Sequence, residues 1–274
     1  MQTHPIGIFD SGYGGLTIYE KIKAKMPQYD YIYLGDNART PYGPRSFEVV
    51  YQFTRQAVSY LFDQGCPLVI LACNTASAKA LRTIQQQDLP LWGNTHRRVL
   101  GVIRPTVEIV DELSKTKHIG IFGTKGTIAS ASYEIEIQKY HPHITVVGEA
   151  CPMWVPIVEN NESRSAGADY FVKKHIDSLL SKDPLIDTII LACTHYPLLQ
   201  QKIEQYLPPT VKLFAQGERI ADSLQDYFLR HREMETALSK GGNTQFLTTE
   251  SAESFTASAS LFLPCIVEAK RITL

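Results

Sequence analysis

The sequence lacks several features that would place it in a special class of protein. Its 274 residues include only five cysteines, an odd number without a Cys-x-x-Cys pair, which argues against a disulfide scaffold, a zinc knuckle and a redox motif. No apolar run approaches the roughly 18 residues of a membrane-spanning helix, and the first residues lack a signal-peptide pattern. The net charge is only −1, so no basic excess points to nucleic acid. We therefore expect a cytoplasmic protein that binds neither nucleic acid nor membrane.

Strand-like and helix-like segments alternate along almost the whole chain. Short apolar runs rich in β-branched residues predict strands at 6–9, 31–35, 68–72, 99–103, 118–122, 144–148, 188–192, 212–215 and 244–248. Amphipathic patterns between them predict helices at 16–26, 46–63, 127–140, 164–181, 218–231 and 250–263. This alternation is typical of βαβ units, so we expect an α/β fold with mostly parallel sheets flanked by helices.

Two segments indicate where the chain passes between domains. Apolar patterning lapses near 92–98, and the proline-containing segment 207–211 offers a return crossing. We therefore predict a discontinuous first domain, 1–97 plus 212–274, and a second domain, 98–211.

The most informative feature is a short sequence motif that occurs twice. Residues 69–75 read VILACNT and residues 189–195 read IILACTH, so Cys73 and Cys193 each follow a buried strand, at the strand end where open α/β sheets bind ligands. The repeat predicts two similar domains facing one site. The residues after each thiol resemble a helix entry, whose dipole would lower the thiol pKa from about 8.5 toward neutrality. His195 or Asp10 could then carry protons to and from the thiols.

Two polar turns are further candidates for the site. The first strand ends at Asp10-Ser11, before three glycines that let backbone approach a small ligand. A dinucleotide fingerprint would need glycine where Thr17 stands, and Asp10 is equally suited to be a base or a helix N-cap. The turn at 40–43 is rigid and could offer the Tyr42 ring and the Gly43 amide to a ligand, although most such loops are only turns.

The remaining cysteines and histidines favour structural roles. We expect the other three thiols to be small buried apolar groups, at Cys66, Cys151 and Cys265. His141 and His143 lie in a turn without partners at metal-ligand spacing, so no metal site is predicted. Glu159 closes an apolar stretch, and its spacing alone does not separate a functional from a surface residue.

Together the motifs resemble the glutamate racemases, cofactor-independent enzymes that supply D-glutamate for peptidoglycan. The resemblance covers nearly the whole chain and rests on IGIFDSGYGGLT, YLGDNARTPYG, LACNTASA, GTKGTIASASY, ACPMWVPIVE and LACTHYPLL. It implies two α/β domains with the active site between them, an isomerase activity and no cofactor or metal. No lysine suggests a pyridoxal Schiff base, so a thiolate must remove the α-proton directly.

The resemblance also assigns roles to individual residues. Cys73 and Cys193 would be the catalytic acid–base pair, assisted by Asp10 and His195, with Glu159 near His195. The residues implied to bind glutamate are Asp10, Ser11, Pro41, Tyr42, Gly43, Asn74, Thr75, Thr127, Thr194 and His195. Three positions depart from the usual family pattern, at Arg104, Ala192 and Ala215, and none of them removes a catalytic group. A homodimer, activation by a cell-wall precursor and an effect on DNA gyrase are left open.

Three other functions stay open from the sequence. A two-cysteine racemase could act on aspartate or a hydantoin, since pocket shape decides the substrate. A cysteine-nucleophile hydrolase or transferase would need only one activated thiol and would leave the second motif unexplained. A non-catalytic binding protein on the same fold would not need both thiols.

Overall fold

A computed structural model of the chain describes residues 4–93 and 96–274. Part of the predicted crossing at 92–98 thus lies outside the described residues. Within the described ranges fifteen α-helices, α1–α15, span Leu16–Lys25, Phe47–Asp63, Asn74–Lys79, Leu81–Thr83, Leu89–Leu91, Ile103–Val107, Val110–Leu113, Lys125–Ala129, Ser132–Tyr140, Trp154–Glu159, Ala166–Lys182, Gln200–Tyr206, Gly217–Arg230, Arg232–Ala237 and Ala252–Ala259. Short 3₁₀ turns cover Asn37–Arg39 and Tyr196–Leu199, and a π-turn covers Ile84–Asp88. In these same ranges no helix combines the length and apolar character needed to cross a membrane.

The strands of the described chain form two parallel sheets. Strands β1–β10 span Ile6–Asp10, Tyr31–Gly35, Leu68–Leu71, Arg98–Gly101, His118–Gly123, Thr145–Ala150, Thr188–Ala192, Lys212–Ala215, Thr244–Thr248 and Ala269–Arg271. The first sheet has the order β10-β9-β2-β1-β3-β4, and the second has β6-β5-β7-β8. Every pairing is parallel. The predicted fold class is confirmed.

Sheet membership differs by one strand from the predicted domain division at each of the two crossings. Strand β4 pairs with β3 and belongs to the first sheet, although residue 98 was assigned to the second domain. Strand β8 pairs with β7 in the second sheet, although residue 212 was assigned to the first domain. The lapse of apolar patterning at 92–98 ends at the exposed first residue of β4, Arg98, so it precedes a strand of the first sheet and does not mark the crossing.

Two further elements differ from the sequence prediction. The predicted helix 127–140 is broken into α8 and α9, because Ala131 adopts a left-handed conformation with φ of 51°. Strand β10 was not predicted, since it has three residues, two of them exposed, at the edge of the first sheet.

Aromatic packing supports the second sheet beneath its cysteine turn. The ring centroid of Trp154 lies 4.8 Å from that of Phe122 and 4.9 Å from that of Tyr196, and all three side chains are fully buried. The Tyr196 hydroxyl donates to the Cys151 carbonyl at 2.9 Å. This packing holds the backbone that follows β6 and β7 in a fixed position.

Candidate active site

Strand register brings polar residues to one edge of each sheet. In the first sheet Asp10 pairs with Gly35, and Phe9 pairs with Leu71, so Cys73 emerges beside the turn that follows β1. The first sheet thus places the Asp10 turn and the Cys73 turn next to each other, as the sequence predicts.

The second sheet also carries polar side chains at the carboxyl ends of its strands. Gly123 pairs with both Ala150 and Ala192, so the next residues along the three strands are Thr124, Cys151 and Cys193. The parallel register therefore places three side chains in a row at the carboxyl edge of the sheet. Thr124 was missed from the sequence, although it directly follows a predicted strand, and Cys151 was assigned only a structural role.

The two edges enclose one cavity of about 330 Å³. That volume lies at the lower end of the range of about 300–1,000 Å³ for small-molecule sites. Its predicted lining residues are Ser11, Pro41, Tyr42, Gly43, Cys73, Asn74, Thr75, Glu159, Cys193, Thr194 and His195. Its unpredicted lining residues are Thr40, Pro44, Thr124, Lys125, Cys151, Pro152, Val155, Pro156 and Asn160. Two predicted residues, Asp10 and Thr127, are buried but are not part of the lining.

A chain of three polar side chains begins at Cys193. The sulfur of Cys193 lies 3.9 Å from Nδ1 of His195, and Nε2 of His195 lies 2.9 Å from Oε1 of Glu159. Burial disfavours a charged imidazole, but the hydrogen bonds and charges of Cys193 and Glu159 outweigh burial and raise the pKa of His195 to about 10. A protonated His195 donates to both neighbours, so this chain can deliver a proton to the Cys193 sulfur and take it back.

Cys73 has a different environment. Its thiol donates to the Ser11 hydroxyl at 3.5 Å, and its sulfur accepts from the backbone N–H of Ala76 at 3.5 Å. Burial, aided by the charge of Asp10, raises the pKa of Cys73 to about 12. The expectation that the helix dipole lowers this pKa toward neutrality is therefore wrong, because α3 has only six residues and the thiol is almost fully buried.

Asp10 lies behind the cavity wall. Its Oδ2 accepts from the backbone N–H of Gly12 at 2.9 Å, and its Oδ1 has no hydrogen-bond partner. Burial raises the pKa of Asp10 despite the opposing charge of His195. Asp10 does not cap α1, which begins after Gly15 without a side-chain cap.

Close backbone approach accounts for one of the glycines that follow Asp10. A Cβ atom on Gly14 would lie 2.3 Å from Oγ1 of Thr194 and 2.4 Å from Nδ1 of His195. Only glycine lets the first turn pack directly against the His195 turn of the other sheet. The hydroxyl of Thr17 donates to the Thr194 carbonyl at 3.0 Å and strengthens the same contact.

The remaining predicted binding residues line or support the cavity. The Tyr42 hydroxyl donates to the buried carboxylate of Asp36, so Tyr42 is held in place by that bond rather than by a ligand. The Thr75 hydroxyl lies 2.9 Å from that of Thr124 and 3.3 Å from that of Thr127. Thr127 thus supports Thr75 from behind the wall.

The three other cysteines differ in burial, and His143 contacts a carboxylate at the surface. Cys66 and Cys151 are buried as expected, but Cys265 is exposed, because it lies in the loop between α15 and β10. His143 is 2.5 Å from a carboxylate oxygen of Asp111 at an exposed position. Within 4–93 and 96–274, no three His, Cys, Asp or Glu side chains are grouped as metal ligands.

The three departures from the family pattern lie outside the hydrogen-bonded chain of Cys193, His195 and Glu159. Ala192 is fully buried and is the last residue of β7, and Ala215 is the last residue of β8. Arg104 lies on α6, where its Nε donates to Glu108 at 3.2 Å and its guanidinium lies 5.4 Å from the Tyr140 ring centroid.

Comparison with known proteins agrees with this geometry. Residues 6–216 match the family model described as Asp/Glu/Hydantoin racemase. A glutamate racemase of Ruegeria sp. is 40% identical over 268 residues, covering 94% of this chain and 96% of that protein. The crystal structure of glutamate racemase isoform RacE1 from Bacillus anthracis is 33% identical, with a TM-score of 0.89 and coverage of 100% of this chain and 99% of that one.

A second solved structure includes a ligand. Glutamate racemase from Francisella tularensis in complex with D-glutamate is 30% identical, with a TM-score of 0.87 and coverage of 100% of this chain and 98% of that chain. The resemblance inferred from the cysteine motifs is confirmed. The chain belongs to the Asp/Glu/Hydantoin racemase family and is an amino-acid racemase, that is, an isomerase.

Proposed function

We propose that this protein interconverts L-glutamate and D-glutamate without a cofactor, by a two-thiol acid–base mechanism. The observation that carries the proposal is that Cys73 and Cys193 come from different sheets and line one cavity of about 330 Å³. One thiolate removes the α-proton from one face of the substrate, and the other thiol returns a proton to the opposite face. The relatives named as glutamate racemases support glutamate as the substrate.

The surroundings of the two thiols support different starting states. The raised pKa of Cys73 favours its protonated form, while a protonated His195 can donate to a thiolate on Cys193. On this mechanism the pair needs one thiol and one thiolate at a time. Asp10 serves as the proton carrier on the Cys73 side, and the His195–Glu159 pair serves on the Cys193 side.

Fixed donors around the cavity would stabilise the carbanion formed when the α-proton leaves. Asn74 and Thr75 open α3, where backbone N–H groups have no acceptor within the helix. Ser11, Gly43 and Thr194 line the same wall. Donors already aimed at the place where negative charge develops are the main means of stabilising such a state.

The proposed product fits one cellular role. D-Glutamate made by this enzyme would supply peptidoglycan synthesis, as the family resemblance implies. A cytoplasmic location and a homodimer remain predictions. Size-exclusion chromatography with light scattering tests the homodimer.

The direct test is α-proton exchange of L-glutamate in D₂O with no added cofactor, followed by NMR and by optical rotation. Deuterium at Cα with loss of rotation is the expected result. Success with aspartate but not glutamate would change the substrate and keep the mechanism. Absence of exchange with both amino acids would contradict the proposed activity.

Serine variants test the thiol assignment. Cys73→Ser and Cys193→Ser should each slow racemisation by at least about a hundredfold, the lower end of the contribution of a general acid–base group. Cys265→Ser is the matched control, because it makes the same change at an exposed position and should keep wild-type activity. A covalent substrate adduct trapped on only one of the two sulfurs would favour a cysteine-nucleophile transferase instead.

A further inference from the structure

Three buried side chains, one of them at the cavity wall, form a closed ring of hydrogen bonds. Nδ2 of Asn74 donates to Oε1 of Gln216 at 3.0 Å, Nε2 of Gln216 donates to the Tyr133 hydroxyl at 2.6 Å, and that hydroxyl donates to Oδ1 of Asn74 at 2.6 Å. Each member both donates and accepts, so the ring runs in a single direction. No exposed side chain takes part in it.

A backbone carbonyl fixes the direction of the ring. The Val102 carbonyl can only accept, and it lies 3.3 Å from Nε2 of Gln216. A Gln216 amide turned the other way would put its own oxygen against that carbonyl and its nitrogen against Nδ2 of Asn74. Both contacts would be repulsive, so the amide has one acceptable orientation.

The Tyr133 hydroxyl is suited to the donor role. Burial raises the pKa of Tyr133, so its hydroxyl stays protonated at physiological pH. The second short contact of Gln216 Nε2 is to Oγ1 of Thr106 at 2.7 Å, outside the ring. The two hydrogens of Nε2 are therefore shared among Tyr133, Thr106 and the Val102 carbonyl, and none is left to donate to a ligand.

The ring connects the two sheets at a catalytic turn. Asn74 directly follows Cys73 and lines the cavity, while Gln216 follows β8 of the second sheet and Tyr133 lies on α9. The Asn74 amide still has one hydrogen on Nδ2 and one lone pair on Oδ1 beyond those used in the ring. These are the atoms that Asn74 can offer to an amino-acid substrate.

We propose that Gln216 is a positioning residue of this racemase, which acts through the hydrogen-bonded ring to hold the Asn74 amide in one orientation at the cavity wall. The inference rests on the proposed function, because it assumes that the amino acid binds in this cavity. Without the ring the Asn74 amide can rotate, and it binds the substrate less well in the ground state and the transition state alike. Loss of such uniform binding raises KM and leaves kcat nearly unchanged.

The test compares three ring variants with one control. Gln216→Met keeps the side-chain length but removes the amide, and Tyr133→Phe removes only the bridging hydroxyl. We expect each to raise KM about tenfold, the effect of losing one well-placed hydrogen bond. The double variant should be no worse than Gln216→Met alone, because both changes open the same ring. Thr106→Val removes a buried contact of Gln216 outside the ring and should lower Tm while keeping the wild-type KM.

The assay uses glutamate, or aspartate if the wild-type protein racemises only aspartate, so failure of the substrate proposal is seen separately in the wild-type protein. A fall in Tm with unchanged KM in both single variants would assign the ring a purely structural role and overturn the inference. Additive effects in the double variant would also overturn it. Tyr133→Phe, the milder change, decides the matter if Gln216→Met does not fold.

Discussion

Neutralising Glu159 is the most direct probe of the proposed proton transfer through the hydrogen-bonded chain at Cys193. The variant Glu159→Gln keeps an oxygen within hydrogen-bond reach of His195 but removes the negative charge. An opposite charge at this distance raises the pKa of a histidine by about 1 to 3 units. We therefore expect the pKa of His195 to fall by that amount from about 10, and the basic limb of the kcat–pH profile to move down with it.

The same change has a predictable effect on stability. A histidine whose pKa is raised on folding stabilises the protein below the unfolded pKa of about 6.5, and this contribution is lost as pH rises through the folded pKa. Glu159→Gln should thus lower the free energy of unfolding by about 1 to 4 kcal/mol at pH 6, since one pKa unit corresponds to about 1.4 kcal/mol. The difference between variant and wild type should vanish above about pH 10.

The assay is an NMR titration of histidine Cε1–H signals, with His195 assigned from a His195→Asn spectrum. The matched control is Glu162→Gln, which removes the same charge from an exposed position three residues along the chain. It should leave the His195 titration and the pH profile unchanged. If His195 titrates at the same pH in the wild type and in Glu159→Gln, the carboxylate does not control its charge and the reasoning is refuted.

Three other changes test separate parts of the structure. Gly14→Ala should slow racemisation more than tenfold and lower the free energy of unfolding by about 1–3 kcal/mol, because the added Cβ would displace His195. Steady-state kinetics and thermal unfolding measure the two effects, and wild-type kinetics would contradict the close approach. Asp10→Asn should let iodoacetamide alkylate Cys73 at lower pH, since the charge of Asp10 raises the thiol pKa, and it should slow racemisation. Mass spectrometry locates the alkylated cysteine. An unchanged pH profile of alkylation would contradict the effect of Asp10 on the Cys73 pKa. Hydrogen bonds outweigh the effect of burial and lower the pKa of Asp187 to about 2. The ionised Asp187 therefore stabilises the folded protein above about pH 4, and this stabilisation is lost as the pH falls toward 2. Asp187→Asn should cost about 1 kcal/mol at pH 7 and almost nothing at pH 2, and an equal cost at both pH values in denaturant titrations would refute this.

Much of the site was predictable because parallel sheets order their carboxyl ends. Each strand that ends in a polar turn contributes to the same edge, so the turns after β1, β3 and β7 could be assembled from sequence patterns alone. The same rule, applied to β5 and β6, would have found Thr124 and Cys151. The sheet membership of β4 and β8 was not predictable in this way, because it is decided by strand pairing, which local patterns do not contain.

Contacts between distant segments could not be predicted from the sequence, for a physical reason. Gln216 is 142 residues from Asn74, and its ring depends on the relative placement of the two sheets. Nothing in the local spacing of a glutamine between an alanine and a glycine predicts that its amide bonds to Asn74 and Tyr133. Close approach at Gly14 is similar, because the clash that requires glycine there comes from a turn in the other sheet.

The failed expectation for the Cys73 pKa follows from two opposing effects. A helix N-terminus stabilises an anion by roughly 0.3–1 kcal/mol, or about 2 kcal/mol in favourable geometry, whereas full burial shifts a pKa by up to about 3–5 units. Burial therefore dominates in the free protein. On the proposed reaction, an amino-acid substrate carries its own α-ammonium charge into the cavity. A positive charge within a few ångströms favours the thiolate, so the substrate itself would help to generate the base that attacks it. The buried Cys73 thiol would thus stay protonated and unreactive until an amino acid binds.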